Sequence, residues 1–172
     1  MPIVGLAANG EREATPEITG QIVDVQCSWH NTVVVTRQQE GQEGDEGGQP
    51  LLQVYITGDN KYGQLAMGDY EAPNEQKLQY RCSFSSITHY FSAGDPILQL
   101  HCMAESFLIV TERQKHLYTW GWNEHGNLAL GDKTDRHAPT QVPFDGQQLL
   151  GDCSDFSISA AGAYFIVLIT PA

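Results

Sequence analysis

Val54 to Asp69 reads VYITGDNKYGQLAMGD and, 63 residues on, Leu117 to Asp132 reads LYTWGWNEHGNLALGD. Eight of the sixteen positions are identical, where average residue usage would give about one. Self-similarity at a fixed spacing is the mark of a repeat architecture. The shared core is G-x-N-x-x-G-x-L. Gly58 and Gly121 can end a strand where a side chain would crowd its neighbour, and Asn60 and Asn123 can bond their own backbone in the turn. Gly63 and Gly126 can take a positive φ cheaply, and Leu65 and Leu128 return the chain to the core. This is turn chemistry, and no catalytic function follows from it.

A second element alternates with the first. Val23 to Thr36 reads VDVQCSWHNTVVVT, Ile97 to Thr111 reads ILQLHCMAESFLIVT, and Asp155 to Thr170 reads DFSISAAGAYFIVLIT. Cys27, Cys102 and Ala161 each stand nine residues before the closing threonine. Insertions in the connecting loops close the remaining differences in spacing. The chain therefore divides into a half unit over 1–36, an acidic loop over 38–50, and full units over 51–111 and 112–170.

Val23, Val25 and Cys27, then Val33 and Val35, then Leu78, Tyr80, Cys82 and Phe84 alternate as half-buried strands do. Short β-branched and aromatic runs broken by Gly and Asn, with no amphipathic helix period, predict an all-β, antiparallel fold. A unit of this length with four short strands suits a propeller blade. The expected architecture is a partial β-propeller of about two and a half blades, too few to close the ring of four to eight that such folds need. Its sheet edges then lie open for pairing with further blades or another chain.

Composition narrows the function. The 172 residues carry 21 acidic and 9 basic side chains, a net charge of −12, which disfavours direct nucleic-acid binding, since phosphate contact needs clustered Lys and Arg. The longest apolar run, Ala163 to Ile169, is too short for a membrane span, and the first twenty residues lack a basic start and a long apolar core. A soluble, non-secreted chain is expected. The stretch QQEGQEGDEGGQP, Gln38 to Pro50, has four acids and no base; it reads as a solvated loop. Cys27, Cys82, Cys102 and Cys153 are widely spaced, with no C-x-x-C pair, and reduced thiols are expected.

No nucleophile elbow, phosphate-cradling G-x-x-x-x-G-K or paired-carboxylate motif is present, so catalytic residues and cofactors are expected to be none. Cys27-x-x-His30 and His101-Cys102 come nearest to a metal site, but neighbours on a strand point to opposite faces, so no metal is expected either. Trp120 is expected to pack between blades. Trp122, Glu124 and His125 fall on the loop that follows, Lys61 and Tyr62 on its counterpart, and Trp29 and His30 on a comparable loop between two strands. Exposed aromatic and charged loop residues are the usual material of protein contacts, and these seven are the candidate partner-binding residues.

The repeated segments resemble the regulator-of-chromosome-condensation repeat family, whose units carry G-x-N-x-x-G-x-L-G-x-G-D and, later, A-G-x-x-H-T-x-x-L-T. The chain departs from that pattern at Ala66 and Ala129, which replace its third glycine. Ser28 and Met103 stand where the second segment has glycine, and Asn31 and Ser106 where it has histidine; Gly162 and Phe165 take these places in the third copy. Leu117 to Val142 is similar to the last blade of two branches of the family, a fungal alpha-tubulin suppressor and a secretion-regulating guanine nucleotide exchange factor. The resemblance implies a seven-bladed propeller, of which this chain forms a C-terminal part, working in the cytoplasm and also the nucleus. It further implies a protein partner: a small zinc protein of the diphthamide and Elongator pathways, through which tRNA wobble-uridine modification would be regulated, or alternatively a small GTPase whose nucleotide exchange is accelerated.

Overall fold

The computed structural model describes residues 18–38, 52–68, 80–91, 95–143 and 153–171. Most of the acidic stretch, from residue 39 onward, lies outside them, as do Asp69 and Leu78. The described residues form ten strands and a single 3-10 turn at Thr88–Tyr90. They are β1 (Gln21–Cys27), β2 (Asn31–Arg37), β3 (Leu52–Asp59), β4 (Tyr80–Ser86), β5 (Ile97–Cys102), β6 (Ser106–Thr111), β7 (Leu117–Gly121), β8 (Arg136–Gln141), β9 (Cys153–Ala161) and β10 (Tyr164–Pro171). All pairings are antiparallel: β1-β2-β3-β4 is one sheet, β5-β6-β7-β8 a second, and β9-β10 a two-stranded third. The fold is all-β, a partial propeller.

The first two sheets repeat down to their irregularities. The register slips between Ile22 and Asp24 in β1 and between Ile97 and Gln99 in β5, and again between Ile56 and Gly58 in β3 and between Thr119 and Gly121 in β7. Such bulges re-aim a strand at a defined point.

Two features correct the sequence reading. The half blade sits at the C-terminal end, because β1 and β2 bond to β3 and β4 in one complete sheet. Sequence units 51–111 and 112–170 therefore each take the last two strands of one sheet and the first two of the next. A repeat can be cut at any phase in sequence; only hydrogen bonding fixes where a sheet begins. The third copy is also displaced by one residue. Its turn pairs Ala161 with Tyr164, as Ser28 meets Asn31 and Met103 meets Ser106. Ala160, rather than Ala161, thus stands where Cys102 does, and Phe165 corresponds to Phe107.

That displacement matters because strand side chains alternate between faces. Between the first two sheets, Val33, Val35, Val54, Ile56 and Leu65 meet Ile97, Leu100, Phe107, Ile109 and Trp120 in one core. Trp120 is fully buried, stacks on Phe107 at 5.2 Å and donates its indole N–H to the Gln64 carbonyl at 2.9 Å. Full burial of side chains of this size contributes about 1.5–3 kcal/mol each. Between the second and third sheets, Leu108, Val110, Leu117 and Met103 pack against Phe156, Ile158, Phe165 and Val167.

The stack is open at both ends. Ile166 and Leu168 are 62% and 66% exposed, whereas the residues at their positions in the second sheet, Leu108 and Val110, are fully buried. Ile22 and Val25 are 50% and 54% exposed, whereas Ile97 and Leu100 are buried. Cys27 is exposed, while its counterpart Cys102 packs partly against the first core and burial pushes its thiol up to about 12. From β1, Gln26 spans the joint to β5 as an edge strand would. Its amide donates to the Leu100 carbonyl at 2.9 Å and accepts from the Cys102 N–H at 3.1 Å.

Candidate functional site: the loop rim

The two G-x-N-x-x-G-x-L segments build the same loop twice. Asn60 accepts the Leu65 N–H at 3.0 Å through its side-chain oxygen, and Asn123 accepts the Leu128 N–H at 2.9 Å. Gly63 and Gly126 have φ of 85° and 74° and donate to the carbonyls of Asn60 and Asn123. A Cβ on Gly58 would lie 2.1 Å from the His30 carbonyl oxygen, and one on Gly121 would lie 2.5 Å from that of Glu105. Each loop is therefore pressed onto the hairpin turn beside it, with Asp59 N–H donating to the His30 carbonyl and Trp122 N–H to the Glu105 carbonyl.

The hairpin turns are linked from sheet to sheet. Trp29 N–H donates to the Ala104 carbonyl at 2.9 Å, and Ala104 N–H donates to the Gly162 carbonyl at 2.5 Å. These three residues hold the same turn position in successive sheets, so one backbone bond per joint locks the turns into a continuous rim.

All seven candidate contact residues lie on this rim. Trp29 is 73% exposed, the largest side chain in that state among the described residues. His30, Lys61, Glu124 and His125 are exposed, and Tyr62 and Trp122 are half-buried. Although Tyr62 and Trp122 come from different sheets, their rings approach to 6.3 Å, and His125 meets Trp122 edge-on at 5.0 Å. The Lys61 ammonium sits 4.8 Å from the centre of the Tyr62 ring. Hydrogen bonding to Tyr62, with Asp59 and Glu105 nearby, raises Lys61 above the ordinary lysine value. The rim thus offers an aromatic ridge across a blade joint, with a cation at one end. Behind it, Asn123 holds the loop after β7 by donating to the carbonyls of Asp132 and Thr134. A hydrogen bond from Arg136 keeps the Asp132 carboxyl below the usual carboxylate range.

The expectation of no metal ligands meets a contrary arrangement. His30 Nδ1, an Asp59 carboxylate oxygen and a Glu105 carboxylate oxygen lie within 4.8 Å of one another. They come from a hairpin turn, a strand end and a turn of the next sheet, so no local spacing could have revealed them. Glu105 itself was missed by sequence reasoning; its one signal is a carboxylate in the short turn between two largely apolar strands.

Residues 116–169 match the family model for the regulator of chromosome condensation (RCC1) repeat. The chain is similar to the ultraviolet-B receptor UVR8 of Arabidopsis thaliana, 35% identical over 119 residues, which cover 66% of this chain and 24% of that protein. It is also similar to the X-linked retinitis pigmentosa GTPase regulator of Mus musculus, 33% identical over 67% of this chain and 9% of that protein. Among solved structures, Prp20p of Saccharomyces cerevisiae, described with its binding to Gsp1p and histones, superposes with a TM-score of 0.57 at 15% identity. That superposition covers 94% of this chain and 34% of Prp20p. The chain spans less than a quarter of the length of the two curated relatives.

Proposed function

We propose, from the premise that this chain carries RCC1-like repeats, that it is a non-enzymatic interaction module which docks another protein on its loop rim. The observation that carries this reading is the convergence of Trp29, Tyr62, Trp122 and His125 on one edge of the stack. Aromatic side chains on rigid supports supply much of the energy of protein contacts, and the turn-to-turn backbone bonds supply the rigidity.

For the partner we propose the small zinc protein of the diphthamide and Elongator pathways, which would place the chain in regulation of tRNA wobble-uridine modification, in the cytoplasm and nucleus. This rests on the similarity of the loop after β7 to the fungal branch. A second reading, a small GTPase, is favoured by the descriptions of two similar proteins, one a GTPase regulator and the other a binder of Gsp1p. The net charge of −12 suits a partner with a basic face in either case.

Pull-down and calorimetry with each partner test the readings. Trp29→Ala, at an exposed position, should weaken capture by about tenfold or more while leaving the sheet signal intact, since truncating a central aromatic anchor costs about 2 kcal/mol. Stopped-flow nucleotide release separates the two partners: acceleration by micromolar protein supports the GTPase, and capture of the zinc protein without acceleration supports the first. Equal binding by wild type and the Trp29→Ala, Trp122→Ala double variant would move the contact off this rim.

A further inference from the structure

We propose that His30, Asp59 and Glu105 form a binding site for one divalent transition-metal ion of the zinc type, which clasps the first two sheets together at the rim. The three donors come from the β1–β2 turn, the end of β3 and the β5–β6 turn, so one ion would tie both sheets.

The chemistry of the donors selects the metal. An imidazole nitrogen with two carboxylates suits zinc and its first-row neighbours, whereas calcium and magnesium favour all-oxygen surroundings. Tetrahedral bonds of about 2.0–2.2 Å to a common ion set its donors about 3.4 Å apart. Donors now up to 4.8 Å apart must therefore close by about an ångström, while His30 Nδ1 and Glu105 Oε1, now in hydrogen-bond contact, must part by a similar amount; rotation of the exposed His30 side chain serves both movements.

The site is built rather than fortuitous. Glu105 is only 6% exposed, and a buried carboxylate requires a compensating charge. Among the described residues its single ion-pair partner is the His30 imidazole, with no Lys or Arg in contact. Gln64, fully buried, donates to Glu105 Oε2 at 2.8 Å and is itself held by the Tyr62 N–H, which leaves Oε1 aimed at His30. Supporting bonds of this kind orient the ligands of protein metal sites. The described hydrogen bonds of the Asp59 carboxylate, from the N–H groups of Asn60 and Lys61, both go to Oδ1, which orients it from the loop side. The next joint lacks the arrangement: Glu105, Trp122 and Ala163 occupy the same three positions there, so the site is particular to the first joint.

The test uses the full 172-residue chain without any partner, so its outcome is independent of the docking assignment. After treatment with chelator, zinc chloride should bind at one equivalent and raise the melting temperature, while magnesium and calcium chlorides at the same concentration should do neither. Cobalt should give a visible d–d absorption without a thiolate charge-transfer band, which distinguishes this site from one built on cysteine. His30→Ala should weaken zinc binding at least tenfold, with the melting temperature of the metal-free variant showing that it still folds. Asp59→Asn should do likewise, and Cys27→Ser with Cys102→Ser should leave the affinity unchanged. Absence of saturable zinc binding, a thiolate band, or wild-type affinity in His30→Ala would each overturn the proposal.

Discussion

Ala66 and Ala129 stand where the repeat pattern has glycine, and both adopt the left-handed conformation glycine favours, with φ of 52° and 57°. An L-residue there costs about 1–2 kcal/mol, partly offset because alanine loses less chain entropy than glycine on folding, by about 0.4–1 kcal/mol. Ala129 is exposed, so Ala129→Gly should stabilise the protein by about 0.5–1 kcal/mol. A urea midpoint shifted upward with unchanged slope would register the gain. Ala66 is buried in the first core, and losing its methyl costs about 0.8 kcal/mol. Ala66→Gly should therefore leave the midpoint nearly in place. The same substitution at two equivalent positions separates backbone strain from packing.

Between the elements, the connection into β5 is held by one carboxylate. Asp95 is buried and accepts the N–H groups of Arg113 at 2.8 Å and Gln114 at 3.0 Å from the turn between β6 and β7. Burial alone would push its carboxyl up, but the bonds from Gln114, the Thr111 hydroxyl and Arg113 outweigh it and hold the group below the usual aspartate value. A carboxyl depressed in the folded state stabilises it fully above the unfolded value, about 3.9, and loses that contribution as pH falls through the lower folded value. Asp95→Asn should therefore be less stable than wild type at pH 7, and the difference should narrow as the pH falls below the ordinary aspartate value of about 3.9. Thermal unfolding of both proteins from pH 7 into the acid range checks this; a gap independent of pH would assign the loss to geometry alone.

Over the whole molecule, the stack of sheets ends in faces that its interior buries. Tyr164, Ile166 and Leu168 at one end and Ile22, Val23 and Val25 at the other are exposed. Contiguous apolar faces of this kind mark contact surfaces. Ile166→Lys with Leu168→Lys should leave the melting temperature of the chain within a few degrees and reduce its self-association in sedimentation velocity. A collapse of the melting temperature would show that the face is already covered in the free chain. The rim lies on a different edge of the stack, so partner binding there is compatible with further blades at either end.

The fold class was legible because its signals are local. Period-two alternation, β-branched runs and the duplicated Gly-Asn turns each follow from a few neighbouring residues, and they determined an antiparallel repeat protein with two copies of one rim loop. Sheet phase was not legible, since hydrogen bonds join β2 to β3 across the acidic stretch, and one extra residue between the turn and the closing threonine put the third copy out of step with the threonine-based alignment, so that alignment assigned its side chains to the wrong faces. The same holds for the site. Its exposed loop residues could be read one by one, but the approach of Tyr62 to Trp122 and the meeting of His30, Asp59 and Glu105 depend on how one sheet stacks upon the next. Stacking is decided by packing between residues far apart in the chain, which only the tertiary structure brings together.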